Sequence, residues 1–164
     1  MGFVFNRIDS RFVHGQVGAR IVRQFNVNRI LLIDDKIAAD EFMCMVFKVA
    51  SVNATVDIYT VDQAIAKYKE GDFESKNCML LFGSVDSAYR AYQGIKYKEL
   101  DVGSIKGDDR PNTKVITNMI CITEEEGAKL KEMKADGCKV YFQSVPDTPV
   151  VSLEEGFRNA GFNL

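Results

Sequence analysis

The chain has 164 residues, 46% apolar and 27% charged, a composition that excludes a disordered chain and suits one domain spanning 1–164. A formal net charge of −2, with basic residues scattered among acids, excludes a global pull toward nucleic acid or an anionic membrane, so any anion site must be local. Cys44, Cys78, Cys121 and Cys138 show no C-x-x-C spacing and lie far in sequence from the one histidine, which argues against a zinc site and for reduced core thiols in a cytoplasmic protein.

The N-terminal segment MGFVFNRIDS has no cationic stretch leading into a sustained apolar run, and no apolar stretch approaches the roughly 20 residues needed to cross a bilayer. Met1-Gly2 opens like an N-myristoylation signal, but Asn6 stands where Ser or Thr is required, and Phe3 to Phe5 read as strand. Strands are expected near 3–8, 29–34, 55–60, 77–82, 99–102, 113–121 and 138–145. Helices are expected near 16–25, 38–52, 62–70, 85–93, 124–136 and 153–160, the first carrying Val17, Ile21, Val22 and Phe25 on one face. Thr123 with Glu126, and Ser152 with Glu155, have the spacing of a capping box at two helix starts. Between them these elements predict an α/β fold: an open, mainly parallel twisted sheet of about seven strands with helices on both faces. The polar stretch 103–112, with Lys106 and Arg110, is a candidate mobile rim.

His14 lies in RIDSRFVHGQV, residues 7–17, where the first strand gives way to the first helix. A helix N-terminus offers unpaired N–H groups and partial positive charge to an anion, and Arg7 and Arg11 add guanidinium donors nearby. A cationic, glycine-flanked turn at the C-terminal end of a strand is also where open α/β sheets place ligands. Against this stands the plain reading of His14 as an ordinary loop residue. Ile30-Leu31-Leu32-Ile33-Asp34-Asp35-Lys36 ends a buried strand in two carboxylates, as phospho-accepting receiver domains do. The simpler reading is that Asp34 and Asp35 cap the following turn or helix. Gly83-Ser84 after the fourth strand invites two readings as well, a contribution to a phosphate pocket or a helix N-cap. Three classes of function follow: a phosphocarrier, a receiver-like signalling domain phosphorylated on Asp34 or Asp35, or a non-catalytic binding module.

Residues 7–17 resemble the R-[IVL]-D-D-R-L-I-H-G-Q-V signature of the IIB components of the mannose/fructose/sorbose family of the sugar phosphotransferase system. The likeness extends through Asn28 to Asp35, Val102-Gly103-Ser104-Ile105, the helix start at Thr123 to Glu126, and Gln143-Ser144-Val145-Pro146. This resemblance implies a phosphohistidine–sugar phosphotransferase subunit in the cytoplasm, transiently at the inner face of the cell membrane. It accepts a phosphoryl group from a IIA protein and passes it to a sugar held by membrane IIC/IID components. His14 then resembles the phosphocarrier, phosphorylated on Nδ1, and Arg11 the guanidinium that braces the phosphoryl oxygens. Gly15 and Gln16 would supply backbone N–H donors, and Asp9 would orient the loop or form an Asx turn. Arg7 ranks below Arg11, since alternate strand positions point to opposite faces. No metal or other cofactor is expected, because positioning and fixed positive charge suffice for phosphoryl transfer between histidines. Ser10 departs from the second Asp of the signature, Phe12-Val13 from Leu-Ile, and the first helix lacks a tryptophan many members carry. For delivery from one protein to another, His14 is expected on an exposed rim, flanked by Phe12 and Val13 as a small docking patch, with Arg7 and Arg11 facing an acidic partner.

Overall fold

The computed structural model describes residues 3–74 and 77–164, apart from the side chains of Gln16 and Val17. Met1-Gly2, read above against lipidation, and the Val17 side chain, expected on the apolar face of the first helix, lie outside the described residues. In chain order the elements are β1 (Phe5–Asp9), α1 (Gly15–Gln24), β2 (Arg29–Ile33), α2 (Asp35–Ala38), α3 (Glu41–Ala50), β3 (Thr55–Tyr59), α4 (Val61–Lys69), β4 (Cys78–Phe82), α5 (Val85–Ile95), β5 (Glu99–Ser104), β6 (Lys114–Thr117), β7 (Ile120–Ile122), α6 (Glu124–Ala135), β8 (Lys139–Phe142), β9 (Val151–Ser152) and α7 (Leu153–Ala160).

Seven strands form one twisted sheet in the order β3-β2-β4-β1-β5-β8-β9, parallel except for the β8–β9 pair. The central strands read as continuous apolar runs because both faces are covered. Ile30 and Leu32 point into a core with Phe5, Ile21, Val22 and Phe47, whereas Leu31 and Ile33 enter a larger one with Ile8, Leu80, Phe82 and Val102. β1 is therefore sandwiched, and its C-terminal end opens where neighbouring β1 and β4 send their connections to opposite faces of the sheet, the usual place for a ligand crevice.

Three expected elements come out differently. The strand expected near 113–121 is a hairpin, β6 and β7, forming its own two-stranded sheet and touching the main one through an Ile105–Ile120 bridge. The helix expected near 38–52 is two, because Asp34 accepts the Ile37 N–H to start α2 and Asp40 accepts the Met43 N–H to start α3. β9 was not expected. The Thr123/Glu126 capping box forms in full, and so does one at Thr60/Gln63; at Ser152 the hydroxyl accepts the Glu155 N–H without the reciprocal bond. The rim 103–112 is tied down: Ser104 ends β5, and Arg110 pairs with Glu126 and donates to the Cys121 carbonyl.

Six helices start on a side-chain oxygen that accepts an N–H of the first turn: Asp34, Asp40, Thr60, Ser84, Thr123 and Ser152. Among the described residues α1 is the exception. Its N-cap is His14, which makes no such bond, and its first turn carries no acid. The positive end of α1 is thus left open beside the imidazole.

Candidate functional site

The site is built around Asp9, the last residue of β1, whose side chain is 2% exposed. Its Oδ2 lies 3.0 Å from His14 Nε2 and accepts from Arg7 Nε at 3.4 Å and Nη2 at 3.3 Å. Arg11 donates its backbone N–H (2.9 Å) and Nε (3.2 Å) to Oδ1, and Nη2 (3.3 Å) to Oδ2. Burial alone pushes the Asp9 carboxyl up, but the hydrogen bonds from Arg11 and His14 and the charge of Arg7 win and hold it below the usual carboxylate value of 3.8. Asp9 is therefore ionised at neutral pH and can only accept hydrogen bonds, so His14 Nε2 carries the proton. The imidazole lone pair is left on Nδ1.

The loop from Asp9 to His14 is closely held. Ser10 donates its N–H to the Ser104 carbonyl at 2.9 Å and its hydroxyl accepts the Lys106 N–H at 3.2 Å. Phe12 takes a left-handed φ of 60° and donates its N–H to the Asp9 carbonyl. Its ring packs against Phe47 of α3 with centroids 5.3 Å apart. Gly83 makes room for that ring, since a Cβ there would sit 2.3 Å from Phe12 Cζ and 2.8 Å from Asp34 Oδ2. Phe12 and Val13, expected as a docking patch, are half-buried: they pack against the smaller core and line the cleft beside His14. His14 is half-exposed, its side chain 25% accessible.

Arg7 is placed beneath the site, not on its rim. It is 2% exposed, and its five N–H donors all find partners: Asp9 from Nε and Nη2, Asp101 Oδ2 from Nη1 at 2.6 Å, and the carbonyls of Gln143 and Ser144 at 3.0 and 2.6 Å. A guanidinium so engaged has no donor left for a ligand. β1 and β5 skip a residue at Gly103, and a Cβ on Gly103 would lie 2.0 Å from Arg7 Cζ, so only glycine lets the guanidinium cross β5. Arg11, by contrast, is 27% exposed, and its Nη1 has no partner among the described residues.

The other sequence candidates find structural roles. Ser84 caps α5, its Oγ accepting the Ser87 N–H at 3.1 Å. Asp34 caps α2. Asp35 accepts the Val61 N–H at 2.9 Å and Arg90 Nη1 at 2.8 Å, contacts that lower its pKa. Gly15 and Gln16 open α1 at the uncapped end described above. Asp101 was missed; the available signal was an acid between Leu100 and Val102 in an otherwise apolar strand. Among the described residues no group of three or more His, Cys, Asp or Glu is placed to hold a metal ion.

A cleft of about 50 Å³ adjoins His14, walled by Val13, Gly18, Val22, Ile30 and Val52. That is far below the roughly 300 Å³ at which small-molecule pockets begin. Beyond it the outer face of α3 exposes an apolar stripe, Phe42, Met45, Val46 and Val49, continued by Val52.

The family described as the PTS system sorbose subfamily IIB component matches residues 3–164. The chain belongs to this family. It is 25% identical over 161 residues to the PTS system fructose-specific EIIB component of Bacillus subtilis, covering 97% of this chain and 98% of that protein. It is 27% identical over 149 residues to the PTS system mannose-specific EIIAB component of Escherichia coli, covering 90% of this chain and 46% of that protein, so the chain spans about half the length of that relative. The structure of manxB from Thermoanaerobacter tengcongensis matches with a TM-score of 0.87 at 30% identity, over 95% of each chain. The IIBSor domain of the sorbose permease from Klebsiella pneumoniae shares the fold, with a TM-score of 0.90 at 22% identity over 99% of each chain. For a chain of this family the receiver-like alternative falls, and Asp34 Oδ1 and both Asp35 oxygens are engaged in starting α2 and α4 and in pairing with Arg90. No helix among the described residues is long and apolar enough to cross a membrane.

Proposed function

We propose that this chain is a phosphocarrier of a sugar phosphotransferase transporter, with Nδ1 of His14 as the atom that is phosphorylated. The observation that carries this reading is the 3.0 Å contact of His14 Nε2 with the ionised Asp9, which fixes the proton on Nε2 and leaves Nδ1 nucleophilic. The phosphoryl group comes from the phosphohistidine of a IIA protein. As the new P–N bond forms at Nδ1, the P–N bond of the donor breaks and the electron pair leaves with the donor imidazole. Positive charge then grows on the His14 ring, and Asp9 stabilises it through the Nε2–H. Arg11 Nη1 and the free N–H groups of Gly15 and Gln16 at the uncapped start of α1 take up the phosphoryl oxygens. Arg7 enters as a support for Asp9, not as a ligand.

The acceptor is a sugar hydroxyl held in membrane IIC/IID components, to which the chain docks at the cytoplasmic face. The smallness of the cleft beside His14 supports a carrier whose second substrate is held by another protein. A donor that reaches His14 with a footprint of about 800 Å² must also cover neighbouring surface. The exposed stripe on α3, continuous with the cleft through Val52, supplies the apolar part of that footprint for the IIA protein. The test is incubation with phosphorylated IIA protein: label is expected on His14, stable in base and labile in acid.

A further inference from the structure

We infer that Asp101 is a positioning residue for His14: it anchors the Arg7 guanidinium, which in turn holds the Asp9 carboxylate that orients the imidazole. This rests on the phosphocarrier reading above and adds a residue to it.

The chain of contacts is continuous and, from Asp9 inward, buried. His14 Nε2 meets Asp9 at 3.0 Å, Asp9 meets Arg7 at 3.3 Å, and Arg7 Nη1 meets Asp101 Oδ2 at 2.6 Å. The parallel register of β1 and β5 puts Arg7 directly opposite Asp101, and the missing side chain at Gly103 lets the guanidinium lie across β5. Asp101 Oδ1 accepts the Gln143 N–H at 3.1 Å, so the carboxylate is fixed from the residue that follows β8 as well. A carboxylate whose side chain is 2% exposed is costly to bury and is held here by one guanidinium and one amide.

Among the described residues Asp9 has a second cation in Arg11, whereas Asp101 has Arg7 alone. Arg7 stands between the two buried carboxylates, and its shorter bond is to Asp101. By taking the larger share of Arg7, Asp101 leaves Asp9 free to act as a strong acceptor for His14 and Arg11. The groups that face Asp101 are Arg7 and Asp9 from β1, Tyr141 from β8 and the Gln143 N–H beyond it; Glu99 on its own strand is paired with Lys139. Burial, with a smaller push from Asp9, raises the Asp101 carboxyl to about 7 against the pull of Arg7. A cavity of about 100 Å³ lined by Arg7, Gln24, Asp101, Gln143 and Pro146 is large enough for water and gives that carboxyl a route to exchange its proton. When Asp101 is protonated, more of the charge of Arg7 falls on Asp9, and Asp9 becomes a weaker acceptor for the His14 ring. Reactivity of His14 is thereby coupled to an ionisation one residue behind its own partner.

The experiment compares the full chain with its Asp101→Asn variant, which keeps shape and a hydrogen-bond acceptor but removes the charge. With phosphorylated IIA protein as donor, kcat is expected to fall about tenfold, the lower end of what loss of an outer supporting group costs at a metal site. KM is expected to hold, and the pH–rate profile to lose an inflection near 7. His14 is the only histidine, so its ring nitrogens can be followed by NMR through the same pH range, with the same inflection expected in the wild type and not in the variant. Profiles and ring signals that superimpose between the two proteins would overturn the proposal. Should the variant not fold, the ¹³Cγ resonance of Asp101 in the wild type decides: it must shift when His14 is phosphorylated, and an unmoved resonance refutes the coupling. If no phosphohistidine forms in the wild type, the phosphocarrier reading has failed, while the ring titrations still test the coupling.

Discussion

Replacing Gly103 with Ala probes the support beneath the site with a single methyl group. The added Cβ would lie 2.0 Å from Arg7 Cζ, 2.2 Å from Nη1 and 2.4 Å from Nη2, so it cannot be accommodated by a small adjustment. The guanidinium cannot swing away freely, because Nη1 and Nη2 are bonded to Asp9, Asp101 and two carbonyls. It must leave at least one buried carboxylate without its partner, a class of change that costs about 3–5 kcal/mol. For a chain of this size each kcal/mol lowers Tm by about 2–4 °C, so a drop of about 6–20 °C is expected by calorimetry. Gly18→Ala on α1 is the control: its Cβ meets nothing within 4 Å, and removing a helix glycine is expected to be neutral or to stabilise by up to about 1 kcal/mol. A Gly103→Ala protein with a Tm within about 2 °C of wild type would show that Arg7 is not locked as described.

Arg11→Lys replaces a planar fork by a point charge and is expected to lower kcat for transfer from the IIA protein at least about tenfold, with KM unchanged; wild-type kinetics would remove Arg11 from the mechanism. Val49→Asp in the exposed stripe of α3 is expected to raise KM for the IIA protein without changing kcat or labelling by a small phosphodonor such as phosphoramidate, and an unchanged KM would rule out the stripe as part of that footprint. Stability should carry two opposite pH signatures. The depressed pKa of Asp9 stabilises the fold above its unfolded value of 3.8, a contribution lost as pH falls through the native value; the raised pKa of Asp101 makes its ionisation unfavourable, so its contribution is lost as pH rises from about 4 to about 7. Urea midpoints measured across that range should fall more steeply for the wild type than for Asp101→Asn, and parallel curves would contradict the assignment.

Much of the fold was legible because buried parallel strands and amphipathic helices leave different periods, as in Ile30 to Ile33 and in Ile21 and Val22 of α1. The misreadings share a cause: short-range punctuation inside an apolar stretch. Asn118-Met119 turns the chain between β6 and β7, and Asp40 restarts a helix after α2, yet each lies within a longer stretch rich in apolar residues. At the site, His14, Asp9 and Arg11 were legible from one motif because they are close in sequence. Asp101 was not, since its partner Arg7 is 94 residues away and the register of two parallel strands brings them together. The packing of Phe12 on Phe47 was not legible, because it depends on a left-handed backbone turn and on space left at Gly83, neither of which a local pattern reveals.

The most direct test of phosphoryl transfer through His14 is mapping the label after incubation with phosphorylated IIA protein, for the wild type and for His14→Ala, by NMR of the intact chain. A ³¹P–¹⁵N correlation to Nδ1 of His14, lost in the variant while its fold is retained, is the predicted result. Label that persists in His14→Ala, or a correlation to Nε2, would contradict the arrangement in which Asp9 holds the Nε2 proton.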